Sequence, residues 1–284
     1  MTFIEWLFSS FDNPRVEKQW GIFHIAIFLL AITAIIVISL FKNKSQFFRK
    51  NIITVLAFLI LAFEIMRRVV NFARPTIYGG EIGGWKDYLY IIIPRPWCAI
   101  SCWLLIASVF VNKKFLYNYG AMSALICAII FFAYPDAGFN NQFMEFENIY
   151  SIVTHALLLV TSISLMTLKM TDFHVKRGDK PLDGALAEII ALALTYVYAF
   201  IEIALGVESD PLYFMPGNGV NDVLGLPYGL YLLFYILFLA FYFSLPYIIQ
   251  YYLDHKKPKA RKRTVKSGPV SAYDQSYRLN KKKR

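Results

Sequence analysis

Long apolar runs separated by short polar segments dominate the pattern of this chain. Each run is close to the roughly 20 residues that an α-helix needs to cross about 30 Å of hydrocarbon. The pattern therefore predicts an all-α, polytopic membrane protein with about seven transmembrane helices. The predicted spans are 21–41, 51–73, 88–111, 115–134, 148–168, 185–206 and 229–253.

The charges of the polar segments alternate along the chain. Segments 42–50 and 169–184 are rich in Lys and Arg, and Lys113 and Lys114 lie in the short third turn. Segments 135–147 and 207–228 instead carry acidic residues and no Lys or Arg. Because basic loops stay on the cytoplasmic side, the pattern predicts an N-terminus outside and a C-terminus in the cytoplasm.

The composition is that of a membrane protein, and the net positive charge of the chain lies at its C-terminal end. The 284 residues are 57% hydrophobic and only 17% charged, with a mean hydropathy of +0.48, which excludes a typical soluble or disordered chain. Residues 254–284 hold 12 Lys or Arg against two Asp, and the rest of the chain is neutral. We predict a transmembrane domain over 1–253, in the cell membrane, and a disordered polybasic tail over 254–284.

The tail is expected to associate with anionic lipids of the inner leaflet, at about 1 kcal/mol per basic residue near the surface. We favour membrane lipids over nucleic acid as its partner, and an acidic protein partner stays an alternative. The three cysteines, Cys98, Cys102 and Cys127, form no zinc or redox pattern, so the sequence predicts neither a metal site nor a cofactor.

Ionisable residues inside the predicted spans are few. Each costs about 2.5–3.5 kcal/mol at the centre of a span and so calls for a reason. All but Glu188 fall in the predicted outer half of the bilayer, which predicts a polar cavity open to the external leaflet. The set is His24, Glu64, Arg67, Arg68, Arg95, His155, Glu188 and Glu202.

Each of these residues also has a structural interpretation. Glu64 and Arg68 are four residues apart, which allows an ion pair on one face of a helix. Arg67 and Arg68 are able to extend to the external headgroups, and His24 to bind a carbonyl at the interface. A cysteine such as Cys98 is usually a small apolar core residue.

Cys98 follows Pro94 and Pro96, which remove two backbone donors near the start of the third span. Irregular backbone at membrane depth is tolerated where it lines a cavity, so this position favours an accessible thiol. A neutral imidazole is able to convert a thiol to the reactive thiolate. We therefore predict nucleophilic acyl transfer, with Cys98 as the nucleophile and His155 as the general base.

The other outer residues are predicted to bind or support the substrate, which we expect to be a membrane lipid. A guanidinium matches a planar oxyanion, so Arg68 or Arg95 is a candidate for holding a phosphate or carboxylate. His24, Glu64 and Glu202 complete the predicted site. Two other functions stay open: a small-solute or ion transporter using Glu64, Arg68 and Glu202, and a non-catalytic membrane scaffold.

Several short motifs, in this order, resemble one family. They begin with His24 and Glu64, and continue with the Ile93–Cys98 stretch that places a cysteine after two prolines. Tyr134 and Pro135 follow, then His155, and finally the 211–216 and 224–228 stretches before the last span. Over residues 20–250 the chain resembles the YwaF-type integral membrane proteins, relatives of the transmembrane protein 164 acyltransferases.

The resemblance implies a helical membrane fold with a central cavity and a cysteine–histidine pair that moves acyl chains between lipids. Those roles fall on Cys98 and His155. The family motif usually places a histidine two residues before the cysteine, where this chain has Pro96. A lipid-ester hydrolase is the closest variant of the predicted activity.

Overall fold

The structure, a computed structural model, describes residues 22–77, 83–94, 97–133, 146–175, 180–206, 212, 214–216, 221 and 224–256. Every regular element among them is helical, which confirms the predicted all-α class. A 3₁₀ turn over Leu40–Asn43 follows the first helix. The α-helices are α1 (Ile22–Ser39), α2 (Gln46–Ile77), α3 (Trp85–Ile92), α4 (Trp97–Val111), α5 (Lys114–Ala133), α6 (Phe146–Thr167), α7 (Pro181–Leu205) and α8 (Tyr228–Lys256).

Five of these helices are long and apolar enough to cross a membrane: α1, α5, α6, α7 and α8. The pair α3 and α4, inclined at 57° to each other, counts as a sixth span if taken together. The predicted span 51–73 lies inside α2, which carries Glu64, Arg67 and Arg68 in its apolar stretch and does not qualify by composition. Composition thus supports five or six spans in the described residues, where the sequence predicts about seven.

Contacts at the ends of the helices show which connections lie together. Arg49, near the start of α2, donates a hydrogen bond of 2.5 Å to the Leu168 carbonyl oxygen just after α6. Lys114, at the start of α5, pairs with Asp172, and His174 lies 2.8 Å from Asp254 near the end of α8. We call this end of the bundle the inner end and the opposite one the outer end, after the predicted topology.

Helix α5 forms the centre of the bundle. It packs against α4 and α6, and 13 of its 20 residues are buried. Gly120, Ala124 and Ala128 recur every four residues, and such small residues let helices approach closely in a membrane. A Cβ atom on Gly120 would lie 3.4 Å from the Leu105 side chain, so α4 and α5 are in tight contact there.

A polar seam joins α4 to α5 next to Cys98. The Trp97 indole N–H donates a hydrogen bond of 2.8 Å to Ser123 Oγ, which is also 2.7 Å from Ser101 Oγ. All three side chains are buried. The seam fixes the first turn of α4, and with it the position of Cys98.

Candidate functional site

Glu64 is the centre of a polar cluster near the outer end of the bundle. Its carboxylate is fully buried and accepts hydrogen bonds from three side chains on three helices. Arg68 Nη1 donates at 2.6 Å and Trp103 Nε1 at 3.0 Å, both to Oε2, and the Tyr150 hydroxyl donates to Oε1. We call Glu64, Arg68, Trp103 and Tyr150 the outer polar cluster.

The cluster explains how a charge is accommodated in α2. Arg68 neutralises Glu64 in the i, i+4 ion pair that the sequence allows, so that structural interpretation is confirmed. The guanidinium also donates to the Ile92 carbonyl oxygen at 3.1 Å and lies 5.1 Å from the centre of the Trp103 ring. Arg68 therefore binds protein groups through Nε and Nη1, and its role in holding a phosphate or carboxylate stays a prediction.

Arg67 and two cysteines adjoin this cluster. The Arg67 guanidinium carbon lies 5.0 Å from the centre of the Tyr150 ring. Cys98, half-buried in the first turn of α4, is within electrostatic reach of Arg67 and Glu64, and the Cys102 thiol lies beside Glu64. The structure thus brings the predicted nucleophile to the outer polar cluster.

His155 lies on α6 and faces α5. Its ring stacks on Phe131, with ring centres 3.9 Å apart and planes at 7°. His155 Nδ1 is 2.7 Å from the Ser151 carbonyl oxygen. Because a carbonyl oxygen only accepts, Nδ1 carries the proton of the neutral ring, and Nε2 is its basic nitrogen.

His24, buried at the start of α1, stacks on Phe132 with ring centres 5.8 Å apart. Phe131 and Phe132 contact each other edge to face at 5.5 Å. The two adjacent phenylalanines at the end of α5 therefore lie between the two predicted histidines. Ring contacts through Phe131 and Phe132 thus connect His24 with His155.

Cys98 and His155 lie on α4 and α6, which contact each other. Within the described part of the chain, no hydrogen bond joins the thiol to the imidazole, and the one described for His155 goes to Ser151. The catalytic pairing therefore stays a prediction. Glu202 is buried on α7, which packs mainly on α8, and Arg95 lies outside the described residues.

The aromatic partners of Glu64 were missed from the sequence. Trp103 and Tyr150 are indistinguishable there from the many other aromatic residues of the spans. Their signal is indirect: a buried carboxylate needs donors, and Tyr and Trp supply them from an otherwise apolar side chain. Among the described residues, no group of three or more His, Cys, Asp or Glu side chains is placed to hold a metal ion.

A second polar cluster lies toward the inner end, around Glu188. The Tyr247 hydroxyl donates to Glu188 Oε1 and accepts a hydrogen bond of 2.9 Å from Asn118 Nδ2. Asn118 also exchanges two hydrogen bonds with the Asp172 backbone, of 2.8 and 2.9 Å. We call Asn118, Asp172, Glu188 and Tyr247 the inner polar cluster; it ties α5, α7 and α8 together.

Asp172 lies outside the spans, between α6 and α7. Partial burial alone would raise the pKa of Asp172, but hydrogen bonds from Lys114 and the His174 backbone N–H lower it below its ordinary value. Asp172 is therefore ionised at neutral pH and holds Lys114 at the inner end. This ion pair stabilises the inner end of the bundle and is not part of the predicted site around Cys98.

Comparison with known proteins gives one family. Residues 16–247 match the TMEM164 family. Neither a curated protein nor a solved structure matches the chain. The matched range contains all the described helices up to most of α8, together with both polar clusters.

Proposed function

The chain belongs to the TMEM164 family of membrane proteins, and from this premise and the geometry of the outer end we propose that it transfers acyl chains between membrane lipids. Cys98 is the nucleophile and His155 the general base. The observation that carries the proposal is the orientation of His155. Its Nδ1–H is held by the Ser151 carbonyl oxygen, which leaves Nε2 as the nitrogen able to accept a proton.

The surroundings of His155 support this role. Stacking on Phe131 fixes the plane of the ring, and an imidazole with one nitrogen bound and its plane fixed needs little reorganisation to accept a proton. In serine hydrolases a carboxylate orients the base in the same way. Here the backbone of α6 performs that function.

The surroundings of Cys98 support its role as the nucleophile. The thiol is half-buried in the first turn of a helix, and the positive end of a helix dipole favours a thiolate. Cys102 and Cys127 are buried in the core, so Cys98 is the cysteine best placed to meet a substrate.

Two half-reactions balance this chemistry. Nε2 of His155 accepts the Cys98 S–H proton as Sγ bonds to the acyl carbonyl carbon of a donor lipid. The ester C–O bond breaks, the imidazolium gives the proton to the departing alcohol oxygen, and a thioester remains on Cys98. An acceptor hydroxyl then attacks the thioester, its proton passes through Nε2 to the sulfur, and the C–S bond breaks.

Water in place of the acceptor lipid would give hydrolysis by the same steps. The proposal requires Nε2 to come within hydrogen-bond reach of Sγ, about 3.5 Å, when a substrate is bound, since such contacts often tighten only in the complex. Rotation of the Cys98 side chain and a shift between α4 and α6 are the movements that would provide this.

The proposed activity is tested with the protein in liposomes that contain a phospholipid with a radiolabelled acyl chain and a lysophospholipid acceptor. We expect Cys98→Ser and His155→Gln each to lower transfer at least 100-fold. Cys127→Ala, which removes a buried thiol from α5, is the matched control and should keep most of the activity. Transfer that survives Cys98→Ser would refute Cys98 as the nucleophile.

We further propose that the protein resides in the cell membrane and that the basic segment 254–284 binds anionic lipids of the inner leaflet. The net charge of this segment supports the proposal, because twelve Lys or Arg side chains face only two Asp. The transporter and scaffold interpretations stay predictions. Glu64 and Arg68, which a transporter would need for its solute, are bound to each other here.

A further inference from the structure

An apolar groove runs along the bundle between α4, α5 and α7. It has a volume of about 650 Å³, and its lining includes none of the four residues of the outer polar cluster. Ala187 and Ala191 of α7 form part of its wall, and their small side chains leave space that longer ones would fill. Its other walls include Pro94, Leu104, Phe115 and Leu194.

The hydroxyl groups along this groove are already bound. Thr195 Oγ donates to the Ala191 carbonyl oxygen at 2.9 Å and is 2.7 Å from the Tyr119 hydroxyl, which therefore donates to it. The Tyr198 hydroxyl donates to the Pro94 carbonyl oxygen at 3.2 Å. The groove therefore offers a ligand a hydrocarbon surface, with little demand for further hydrogen bonds.

The groove faces the membrane on one side. Ile190 and Leu194 on its rim are 52% and 63% exposed, and they belong to a helix apolar enough to span the bilayer. Hydrocarbon surrounds such a position, so a lipid chain is able to enter sideways.

The length and cross-section of the groove indicate what kind of ligand it holds. From Ala187 to Tyr198 the groove follows α7 for about 16 Å, at 1.5 Å per residue, which is close to half of the roughly 30 Å hydrocarbon core. Its mean cross-section is then about 40 Å². A helix about 10 Å in diameter has a cross-section of about 80 Å², so the groove does not enclose a helix of a second copy.

We infer that this groove holds a single acyl chain of a membrane lipid, with the carboxyl end of the chain toward Pro94. Pro94 lies at the end of the groove and only four residues before Cys98. A chain held in this way has its ester close to Pro94, just after α3. That the bound chain is the one transferred rests on the proposed function.

Photocrosslinking tests the occupant. The probe is a phosphatidylcholine with a diazirine in one acyl chain, added to the Cys98→Ala protein in liposomes so that binding is measured without acyl transfer. Mass spectrometry should find at least fivefold more label on Leu104 and Leu194 than on Leu30 and Leu237, exposed residues of α1 and α8. Equal labelling of all four would mean ordinary lipid contact and would overturn the inference.

A variant that fills the groove with a large side chain is compared with a matched variant outside it. Ala191→Trp should lower the label on Leu104 at least fivefold, and Leu186→Trp, at an exposed position of α7 outside the groove, should not. If Ala191→Trp does not fold, Ala187→Leu replaces it, and undiminished labelling in the folded variant rejects the groove. Strong groove labelling together with activity that survives Cys98→Ser would retain the groove and reject the proposed function.

Discussion

Glu64 shows at the scale of one residue how a charge is kept inside a membrane helix. Its carboxylate is fully buried, yet it accepts a charged hydrogen bond from Arg68 and two from the aromatic residues Trp103 and Tyr150. Charge-assisted bonds of this kind are the strong ones, and here they join α2, α4 and α6. The outer polar cluster therefore connects three helices directly beside Cys98.

Glu64→Ala should lower the free energy of unfolding by about 3 kcal/mol, because it leaves Arg68 as a partly buried charge without its carboxylate. Tyr150→Phe, which removes a single hydrogen bond, should cost about 1 kcal/mol. Reversible unfolding of the purified protein in mixed micelles measures both changes. A Glu64→Ala protein as stable as the original would show that the cluster contributes nothing to stability.

His155 shows how the structure determines which nitrogen of an imidazole is basic. The sequence suggests an imidazole at membrane depth, but not which nitrogen is basic. The hydrogen bond of Nδ1 to the Ser151 carbonyl oxygen decides this, and the ring of Phe131 fixes the plane. Ser151 lies one turn before His155 on α6, and Phe131 lies on the neighbouring helix α5. The sequence alone does not show that either residue contacts the imidazole ring.

At the scale of helices, the contact between α7 and α8 depends on one glycine. A Cβ atom on Gly184 would lie 2.9 Å from Tyr247 Cδ1 and 3.2 Å from Val175 Cγ2. The missing side chain lets the Tyr247 ring pack on α7 and its hydroxyl reach Glu188 one turn further along. The inner polar cluster therefore requires close approach of two helices that are apolar on most of their surface.

Gly184→Ala should destabilise the protein by about 1–3 kcal/mol, since the added methyl group overpacks a buried ring. Gly229→Ala is the matched control, because a Cβ there meets nothing within 4 Å and alanine favours a helix by about 0.5–1 kcal/mol. Thermal unfolding in detergent compares them. Equal midpoints for the two variants would contradict the packing argument.

For the whole molecule, the structure shows which connections share an end of the bundle. The segments after α1, α4 and α6 and the end of α8 lie together through contacts such as Arg49 with Leu168 and Lys114 with Asp172. This is the grouping that the alternating loop charges predict. Which end faces the cytoplasm follows from the positive-inside rule alone.

Single cysteines in a cysteine-free protein test the orientation. A membrane-impermeant maleimide should label Glu208→Cys in intact cells, because segment 207–228 is predicted to face outward. Lys169→Cys, exposed after α6, should react only after the membrane is permeabilised. The reverse result would invert the predicted topology and move Cys98 to the cytoplasmic half of the bilayer.

The sequence predicted most of the fold because hydropathy and loop charge are local properties. The runs around 21–41 and 229–253 are apolar along nearly their whole length, and such helices are recognisable wherever their neighbours lie. Span 51–73 is the ambiguous one, since Glu64, Arg67 and Arg68 lower its apolar character. The Glu64–Arg68 pair was also predictable, because both partners lie on one helix four residues apart.

The sequence by itself thus determined a helical membrane protein, the grouping of its loops, and the small set of residues from which a site is drawn. Only the tertiary structure decided that Tyr150 and Trp103 bind Glu64, that His155 presents Nε2, and that a groove opens beside α7. The reason is that the sequence does not fix the rotation of each helix about its own axis. A helix that is apolar on nearly all sides has no pattern that fixes which face meets which neighbour, so contacts between helices are decided by packing.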